Sequence, residues 1–344
     1  MDLQGDRLLP GLINAHDHLQ LNSLPAVDQG RPYTHARDWI ADVTRRRQTD
    51  PSFEAQVSVS REERLLIGGV KNLLSGATTV AHHDPLYRSL TSDGFPTRVV
   101  TQCGWAHSLY LDGEEKVLDS YRITPREWPW IIHSAEGVDA EAASEFDRLE
   151  ALGCLGSNTL IVHGIALDHA RRTRLDAAGA GLLWCPSSNL RLFGRTAAIT
   201  DLVRRGRVAL GTDSRLSGAR DLLSELRAAH EAAGLDAEAL EALVTADAAA
   251  LLCLPDRGVL RAGALADLVV LPAGMPLFDA ARADVRLVAV GGNPLYADAD
   301  YAEIVRPAAE WAAVSVDGRS KKLESSLAAA LSAAALSESG LELS

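Results

Sequence analysis

The chain has 344 residues, 47% of them hydrophobic, and a formal net charge of −12. This length suffices for one large domain, or for one large and one small domain, with a substantial core. The acidic charge disfavours nucleic acid and anionic membranes as partners, and no apolar run is long enough to cross a bilayer. The four cysteines are widely spaced, which argues against a disulfide framework and against a structural zinc knuckle.

The first predicted strand covers residues 8–15 and runs directly into His16 and His18. Alternate residues of a strand point to the same side, so the two imidazoles can reach one point. Alone, such a pair is a weak signal, and two surface histidines are the plainer interpretation. Residues 1–7 lack the basic and apolar regions of a signal peptide, so a cytoplasmic protein is expected.

Two helices are predicted before the second strand, over residues 34–47 and 61–74, and the second of them ends at Ser75-Gly76. From there, short apolar strands alternate with helices. The strands are predicted at residues 77–81, 98–103, 130–133, 159–163, 181–185 and 208–213. The intervening helices are predicted at residues 138–152, 168–178, 197–205 and 219–233. This alternation requires a parallel sheet buried on both faces, as in a doubly wound sheet or a closed barrel.

The ends of the strands decide between these two folds. No glycine-rich phosphate loop follows the first strand, which disfavours the nucleotide-binding sheet. A barrel builds its site from polar residues at the carboxyl ends of its strands. Such residues are His16, His18, His82, His83, His133, His163 and Asp213. The sequence therefore predicts a (β/α)8 TIM-like barrel over residues 8–260, with a fourth strand that is short or missing and has residues 105–111 as its candidate.

After residue 260 the pattern changes to strands joined by glycine, proline and Asp-Gly turns. The strands are predicted at residues 266–271, 285–290 and 312–316. We expect a small β module built from residues 1–7 and 261–321. Residues 322–344 form a C-terminal helix and tail, with the helix over 321–336 and a frayed end.

Seven motifs, in order along the chain, carry a resemblance. They are PGLINAHDH at residues 10–18, GATTV at 76–80, HSAE at 133–136, HGIALD at 163–168, CPSSNL at 185–190, GTDS at 211–214 and GALADLVV at 263–270. Together they resemble the amidohydrolase superfamily, and within it the mononuclear aminohydrolases, which include cytosine, guanine and adenosylhomocysteine deaminases and triazine hydrolases. The resemblance implies a homo-oligomer that acts on a small molecule.

The resemblance implies a metal site made of three imidazoles and one carboxylate, namely His16, His18, His133 and Asp213. Such a set suits one Zn²⁺ ion, with Fe²⁺ as the alternative, and leaves a position open for water. The alternative for His133 is a core histidine with satisfied hydrogen bonds, and for Asp213 a helix N-cap. Lys71, Lys116, Lys321 and Lys322 are the lysines of the chain. None is predicted on the fourth strand, so a carbamate-bridged pair of metals is disfavoured.

The same resemblance assigns the proton transfers to Glu136, which follows His133 by three residues. His163 is assigned to stabilise the water or the substrate atom that gains charge, and Asp213 also orients and deprotonates the water. The alternative for Glu136 is a first-turn glutamate that favours the helix dipole.

Substrate contacts are expected from loops at the mouth of the barrel. The candidates are Trp39, His83, His107 and Arg215. Arg215 would suit a carboxylate, and for each of the four a packing or capping role is the open alternative.

The expected function is therefore metal-dependent hydrolysis of a C–N bond, with deamination of a small cyclic amidine or nucleobase-like compound. The alternatives are an amidase, cyclic amidase or dehalogenating hydrolase on the same site, and a catalytically degenerate barrel that acts as a binding module.

Overall fold

The structure is a computed structural model that describes residues 3–343. Its strands are β1 (Arg7–Pro10), β2 (Leu12–Asp17), β3 (Ala77–His82), β4 (Arg98–Val99), β5 (Gly104–Ala106), β6 (Trp130–Ser134), β7 (Thr159–His163), β8 (Gly181–Trp184), β9 (Val208–Leu210), β10 (Leu268–Leu271), β11 (Leu287–Val290), β12 (Asn293–Ala297), β13 (Trp311–Val316), β14 (Arg319–Glu324) and β15 (Leu341–Leu343).

Its α-helices are α1 (Ala36–Thr49), α2 (Pro51–Val57), α3 (Arg61–Leu74), α4 (Leu109–Ile123), α5 (Ala140–Ala151), α6 (His169–Ala177), α7 (Pro186–Phe193), α8 (Thr200–Val203), α9 (Leu222–Ala233), α10 (Ala237–Leu243), α11 (Ala246–Leu251), α12 (Ala299–Val305) and α13 (Ser325–Ala333). No helix among the described residues is both long and apolar enough to span a membrane.

The predicted TIM-like barrel is confirmed. Strands β2, β3 and β4 form one parallel sheet, and β5 to β9 form a second, each in chain order. A parallel bridge between Asp17 and Asp213 places the end of β2 beside the end of β9. Small and branched apolar side chains such as Ile13, Val162 and Ala209 fill the interior between the sheets. The carboxyl ends of the strands therefore meet around one mouth.

The predicted first strand is divided at Gly11. Strand β1 pairs antiparallel with β10, and β2 begins the barrel at Leu12. A Cβ at position 11 would lie 2.1 Å from Thr78 Oγ1, so only glycine lets the chain pass from one sheet to the other here. The residues before Gly11 thus belong to the small sheet rather than to the barrel.

The region of the predicted fourth strand also differs. Four residues link β4 to β5, whereas parallel neighbours in one sheet need a crossover of about a dozen residues. Accordingly β4 pairs with β3, while β5 pairs with β6. The candidate strand at 105–111 is shorter than expected, because Ser108 accepts a hydrogen bond from the Leu111 N–H at 3.1 Å and begins α4.

The small module is one antiparallel sheet in the order β1-β10-β11-β12-β14-β13-β15. Residues 319–324 form β14, with Lys321 and Leu323 buried at alternate positions. Part of this segment was predicted from the sequence to belong to the C-terminal helix. The helix α13 begins only at Ser325. The last described residues pair with β13 as β15, so the predicted frayed end is a strand.

Candidate active site

Three histidines meet at the mouth of the barrel. His16 lies in β2, His18 directly follows it, and His133 lies in β6. The Nε2 atom of His133 is 3.3 Å from Nε2 of His16 and 3.3 Å from Nε2 of His18. The rings are buried or nearly so. The structure thus brings together the three imidazoles that the motifs nominate as metal ligands.

Asp213 completes this group from the loop after β9. Its Oδ1 atom is 3.9 Å from His16 Nε2 and 3.8 Å from His18 Nε2. Its Oδ2 atom accepts hydrogen bonds from the hydroxyls of Ser188 and Ser217, at 2.8 and 2.5 Å. One oxygen is therefore held by the protein, and the other faces the imidazoles.

The histidine cluster suits a divalent cation. The Nδ1 atom of His133 lies 2.8 Å from the carbonyl oxygen of His107, and Nδ1 of His18 lies 2.7 Å from Asp84 Oδ2. When Nδ1 carries the proton and donates it, the lone pair is on Nε2. Lone pairs that face one another at 3.3 Å repel unless a cation lies between them. Nitrogen donors with such partners behind them are typical zinc ligands.

Charge in the cluster differs from ring to ring. Burial, with the neighbouring imidazoles, lowers the pKa of His16 and His133 well below the usual value. These two rings are therefore neutral, as ligands must be. Burial alone would also lower the pKa of His18, but the Asp84 carboxylate outweighs it and raises that pKa to about 9.

A fourth imidazole belongs to this cluster. His83 was expected from the sequence to contact substrate, and the structure places it fully buried behind the mouth. Its Nε2 atom lies 2.9 Å from the Ala106 carbonyl oxygen, and its Nδ1 atom has no hydrogen-bond partner among residues 3–343. Ligand atoms of His16, His18, His83 and His133 all lie within 4.8 Å of one another. His83 and Asp213 are thus two candidates for the fourth ligand.

Glu136 and His163 lie beside the cluster. The Glu136 Oε1 atom is 3.5 Å from His163 Nε2. Burial, followed by repulsion from Asp213, raises the pKa of Glu136 well above its usual value, which favours the protonated form of this carboxyl group. His163 Nδ1 lies 2.8 Å from the amide oxygen of Asn189, which directs the other ring nitrogen toward Glu136.

The backbone is strained where these residues leave their strands. Ala135, His163 and Asp213 have φ angles of 54°, 71° and 55°. Left-handed conformations are costly for residues other than glycine and cluster at active sites, where surrounding contacts maintain them. One such contact is the hydrogen bond of 2.8 Å from the Ala135 N–H to Glu145 Oε2, which holds the residue before Glu136.

A cavity of about 170 Å³ opens above the cluster. It is lined by His18, Leu21, His35, Ala36, Arg37, Trp39, Ile40, Asp84, His107, Ser108, Tyr110, Leu111, His133, Glu136, Glu145, His163, Asp213 and Ser214. Two of the four predicted substrate contacts, Trp39 and His107, are in this lining. Arg215 is instead paired with Glu338, to which its Nη1 atom donates at 2.8 Å.

Sequence reasoning missed Asp84, Glu145 and the buried ion pair of Lys71 with Asp17 beneath the histidines. Asp84 directly follows His82-His83 at the end of a predicted strand, and this position could have indicated that it belongs to the site. Glu145 shares a buried helix face with Ala142 and Leu149, and an acidic residue at such a position is a second signal.

Beneath the histidines, Lys71 and Asp17 form a fully buried ion pair, with Nζ and Oδ2 3.0 Å apart. Asp17 stands between His16 and His18, so this pair supports the strand end that carries both of them.

Comparison with known proteins places these features among hydrolases. The amidohydrolase family pattern matches residues 130–295. The 5-methylthioadenosine/S-adenosylhomocysteine deaminase of Haloarcula marismortui is 25% identical over 328 residues, which covers 80% of this chain and 75% of the relative. The enzyme of that name from Pelotomaculum thermopropionicum is 34% identical over 269 residues, covering 70% of this chain and 62% of the relative.

Two solved structures share the fold. An adenosine deaminase from Xanthomonas campestris with bound zinc has a TM-score of 0.68 and 20% identity, covering 84% of this chain and 80% of the other. The atrazine chlorohydrolase from Arthrobacter aurescens complexed with zinc has a TM-score of 0.67 and 20% identity, covering 85% of this chain and 84% of the other.

Proposed function

We propose that the chain is a metal-dependent deaminase of the amidohydrolase family that removes the exocyclic amino group of a cyclic amidine, with the aminopurine ring of an adenine nucleoside as the substrate class. The family pattern over residues 130–295 supports this proposal. The names of its relatives support this class. The proposal is carried by the Glu136 carboxyl group, whose pKa is raised by burial and which lies at the mouth of the barrel beside the cluster of His16, His18, His83 and His133.

One divalent metal ion, Zn²⁺ or Fe²⁺, is the cofactor. We propose that His16, His18 and His133 hold it, with Asp213 Oδ1 as the fourth ligand and His83 Nδ1 as the other candidate. When bound, such an ion lowers the pKa of water and so supplies a nucleophile at neutral pH.

The residues around the metal site have separate roles in the proposed reaction. Glu136 can deliver its carboxyl proton to a ring nitrogen as the adjacent carbon is attacked. The carboxylate that results can then accept the proton of the hydroxyl group added to that carbon and pass it to the leaving amine. His163 presents Nε2 toward Glu136 and orients that carboxyl group. The apolar side chains of Trp39 and Ile40 line the cavity and restrict water around a bound ring.

Ammonia release from 5-methylthioadenosine by the zinc-loaded protein tests the proposal. Glu136→Gln keeps the size of the side chain but removes the acid, and kcat should fall by about 10²- to 10⁴-fold with the zinc content unchanged. Glu231→Gln, at an exposed acid of α9 outside the cavity lining, is the matched control and should keep full activity. A zinc-loaded protein that releases no ammonia from any adenine nucleoside, or a Glu136→Gln variant with unchanged kcat, would refute the assignment.

A cytoplasmic location and a homo-oligomeric state stay predictions, and both rest on the family resemblance and the sequence alone. Light scattering coupled to size-exclusion chromatography measures the second directly.

A further inference from the structure

The mouth of the cavity carries an apolar collar, which we define as Leu21, Trp39, Ile40, Tyr110 and Leu111. Two of its members are large apolar side chains that stay open to solvent, since Tyr110 is 55% and Leu111 50% exposed. Exposed apolar surface beside a binding site usually marks the place where a ligand covers it. The collar lies outward of Glu136 and the histidines, so it meets the part of a substrate that projects away from the reacting ring.

The carboxyl groups of Asp84, Glu136, Glu145 and Asp213 line the cavity. Burial raises the pKa of Glu136 and Glu145, which favours the uncharged form of these two acids. Within residues 3–343, Arg37 is the one Lys or Arg in this lining, and its Nη1 atom already donates to Glu141 Oε2 at 2.5 Å.

Arg215, the residue that the sequence offered for a substrate carboxylate, lies outside this lining. Its guanidinium donates to both carboxylate oxygens of Glu338, and its side chain is 14% exposed. A substrate carboxylate at the collar would therefore lose hydration against apolar side chains, while Arg37 and Arg215 are already paired with carboxylates of the protein, which is unfavourable.

We propose that the substituent of the substrate beyond the reacting ring is apolar and uncharged, for example an alkyl thioether, and that the site discriminates against a substituent that ends in a carboxylate. This assignment rests on the proposed deaminase function and narrows it to one kind of nucleoside. The apolar collar supplies the favourable contact with an apolar substituent and the desolvation cost for a charged one.

Two nucleosides provide a matched test. 5-Methylthioadenosine and S-adenosylhomocysteine share the purine, the sugar and the thioether sulfur, and they differ in whether the thioether ends in a methyl group or in an amino acid. Binding is measured by calorimetry on the zinc-loaded Glu136→Gln variant, which should consume the ligand at least about 100-fold more slowly, and kcat/KM is measured on the unmodified protein. We expect 5-methylthioadenosine to bind at least about tenfold more tightly, with the preference repeated in kcat/KM.

A charge placed on the collar tests the cause. Leu111→Arg should improve kcat/KM for S-adenosylhomocysteine by about two- to fivefold, the effect of one exposed ion pair, and should reduce it for 5-methylthioadenosine. Leu111→Gln is the matched control, because it removes the apolar surface without adding a charge. It should lower kcat/KM for 5-methylthioadenosine and bring no gain for S-adenosylhomocysteine, whose amino acid is zwitterionic at neutral pH.

The outcomes separate the two proposals. Tighter binding of 5-methylthioadenosine without ammonia release would refute the deaminase function and support the assignment of the subsite. If both compounds release ammonia and bind with equal dissociation constants, the deaminase function stands and the subsite is overturned. The subsite is also overturned if 5-methylthioadenosine does not bind, or if Leu111→Arg does not raise kcat/KM for S-adenosylhomocysteine.

Discussion

Lys71 is a buried cation beneath the histidine cluster, and replacing it with methionine should destabilise the protein. Its Nζ atom lies 3.0 Å from Asp17 Oδ2 and 2.9 Å from Thr212 Oγ1, and the side chains of Lys71 and Asp17 have no exposed surface. At that distance, with an effective dielectric constant of about 20, the two charges attract each other by about 5 kcal/mol. Removing one partner of a buried pair costs about 3–5 kcal/mol, because the other charge is left without compensation.

The neighbours of Asp17 place the expected loss at the lower end of that range. Its carboxylate still accepts hydrogen bonds from the amides of Asn22 and Asn72, both at 2.8 Å. We therefore expect Lys71→Met to lower the free energy of unfolding by about 3 kcal/mol, measured by urea denaturation of the metal-free protein.

A double variant separates the charge effect from packing. Combining Lys71→Met with Asp17→Asn buries no charge, so it should be more stable than Lys71→Met alone by about 1 kcal/mol or more. If Lys71→Met costs less than about 1 kcal/mol, or if the second substitution adds its full cost to the first, the pair is not the support that its burial indicates.

Three further predictions follow from buried carboxyl groups. Asp84→Asn removes the charged partner 2.7 Å behind His18 and should weaken zinc binding about 10- to 100-fold, measured by competition with a chelator; unchanged zinc affinity would contradict the orienting role of Asp84. Glu338→Gln deprives Arg282, which is 1% exposed, of a carboxylate at 2.6 Å and should cost about 3 kcal/mol in urea denaturation; a loss within about 0.5 kcal/mol would show that the network compensates. Burial raises the pKa of Glu225 to about 8 from the ordinary 4.5, so its contribution to stability is fully present below pH 4.5 and is lost as the pH rises toward 8. Glu225→Gln should remove this decline from a series of unfolding curves, and an identical decline in the variant would assign it to other groups.

The barrel could be predicted from the sequence because its strands are short, apolar and separated by helices, and because His133 and His163 mark where two of them end. The exceptions have local causes. Gly11 looks like a point within one strand, since nothing in its neighbourhood of the sequence reveals the close approach of Thr78 that divides the two sheets. Residues 319–324 look helical beside an alanine-rich stretch, but Lys321 and Leu323 are buried on alternate positions, and this burial depends on the rest of the sheet.

The positions of the metal-site histidines could be predicted from the sequence, whereas the specificity of the site could not. His16, His18 and His133 converge because any barrel gathers the ends of its strands, so their position along the chain is sufficient. The role of Arg215 depends on Glu338, which lies 123 residues further along the chain and occupies its guanidinium. His83 likewise turns one nitrogen toward the cluster because the other bonds the Ala106 carbonyl, a contact between different strands. Motifs therefore locate the reacting groups, whereas the charge that remains free to meet a substrate is decided by pairings between distant parts of the chain. For this reason the expectation of a carboxylate partner at Arg215 gives way to a cavity with an apolar collar, and it is the collar that the substrate must match.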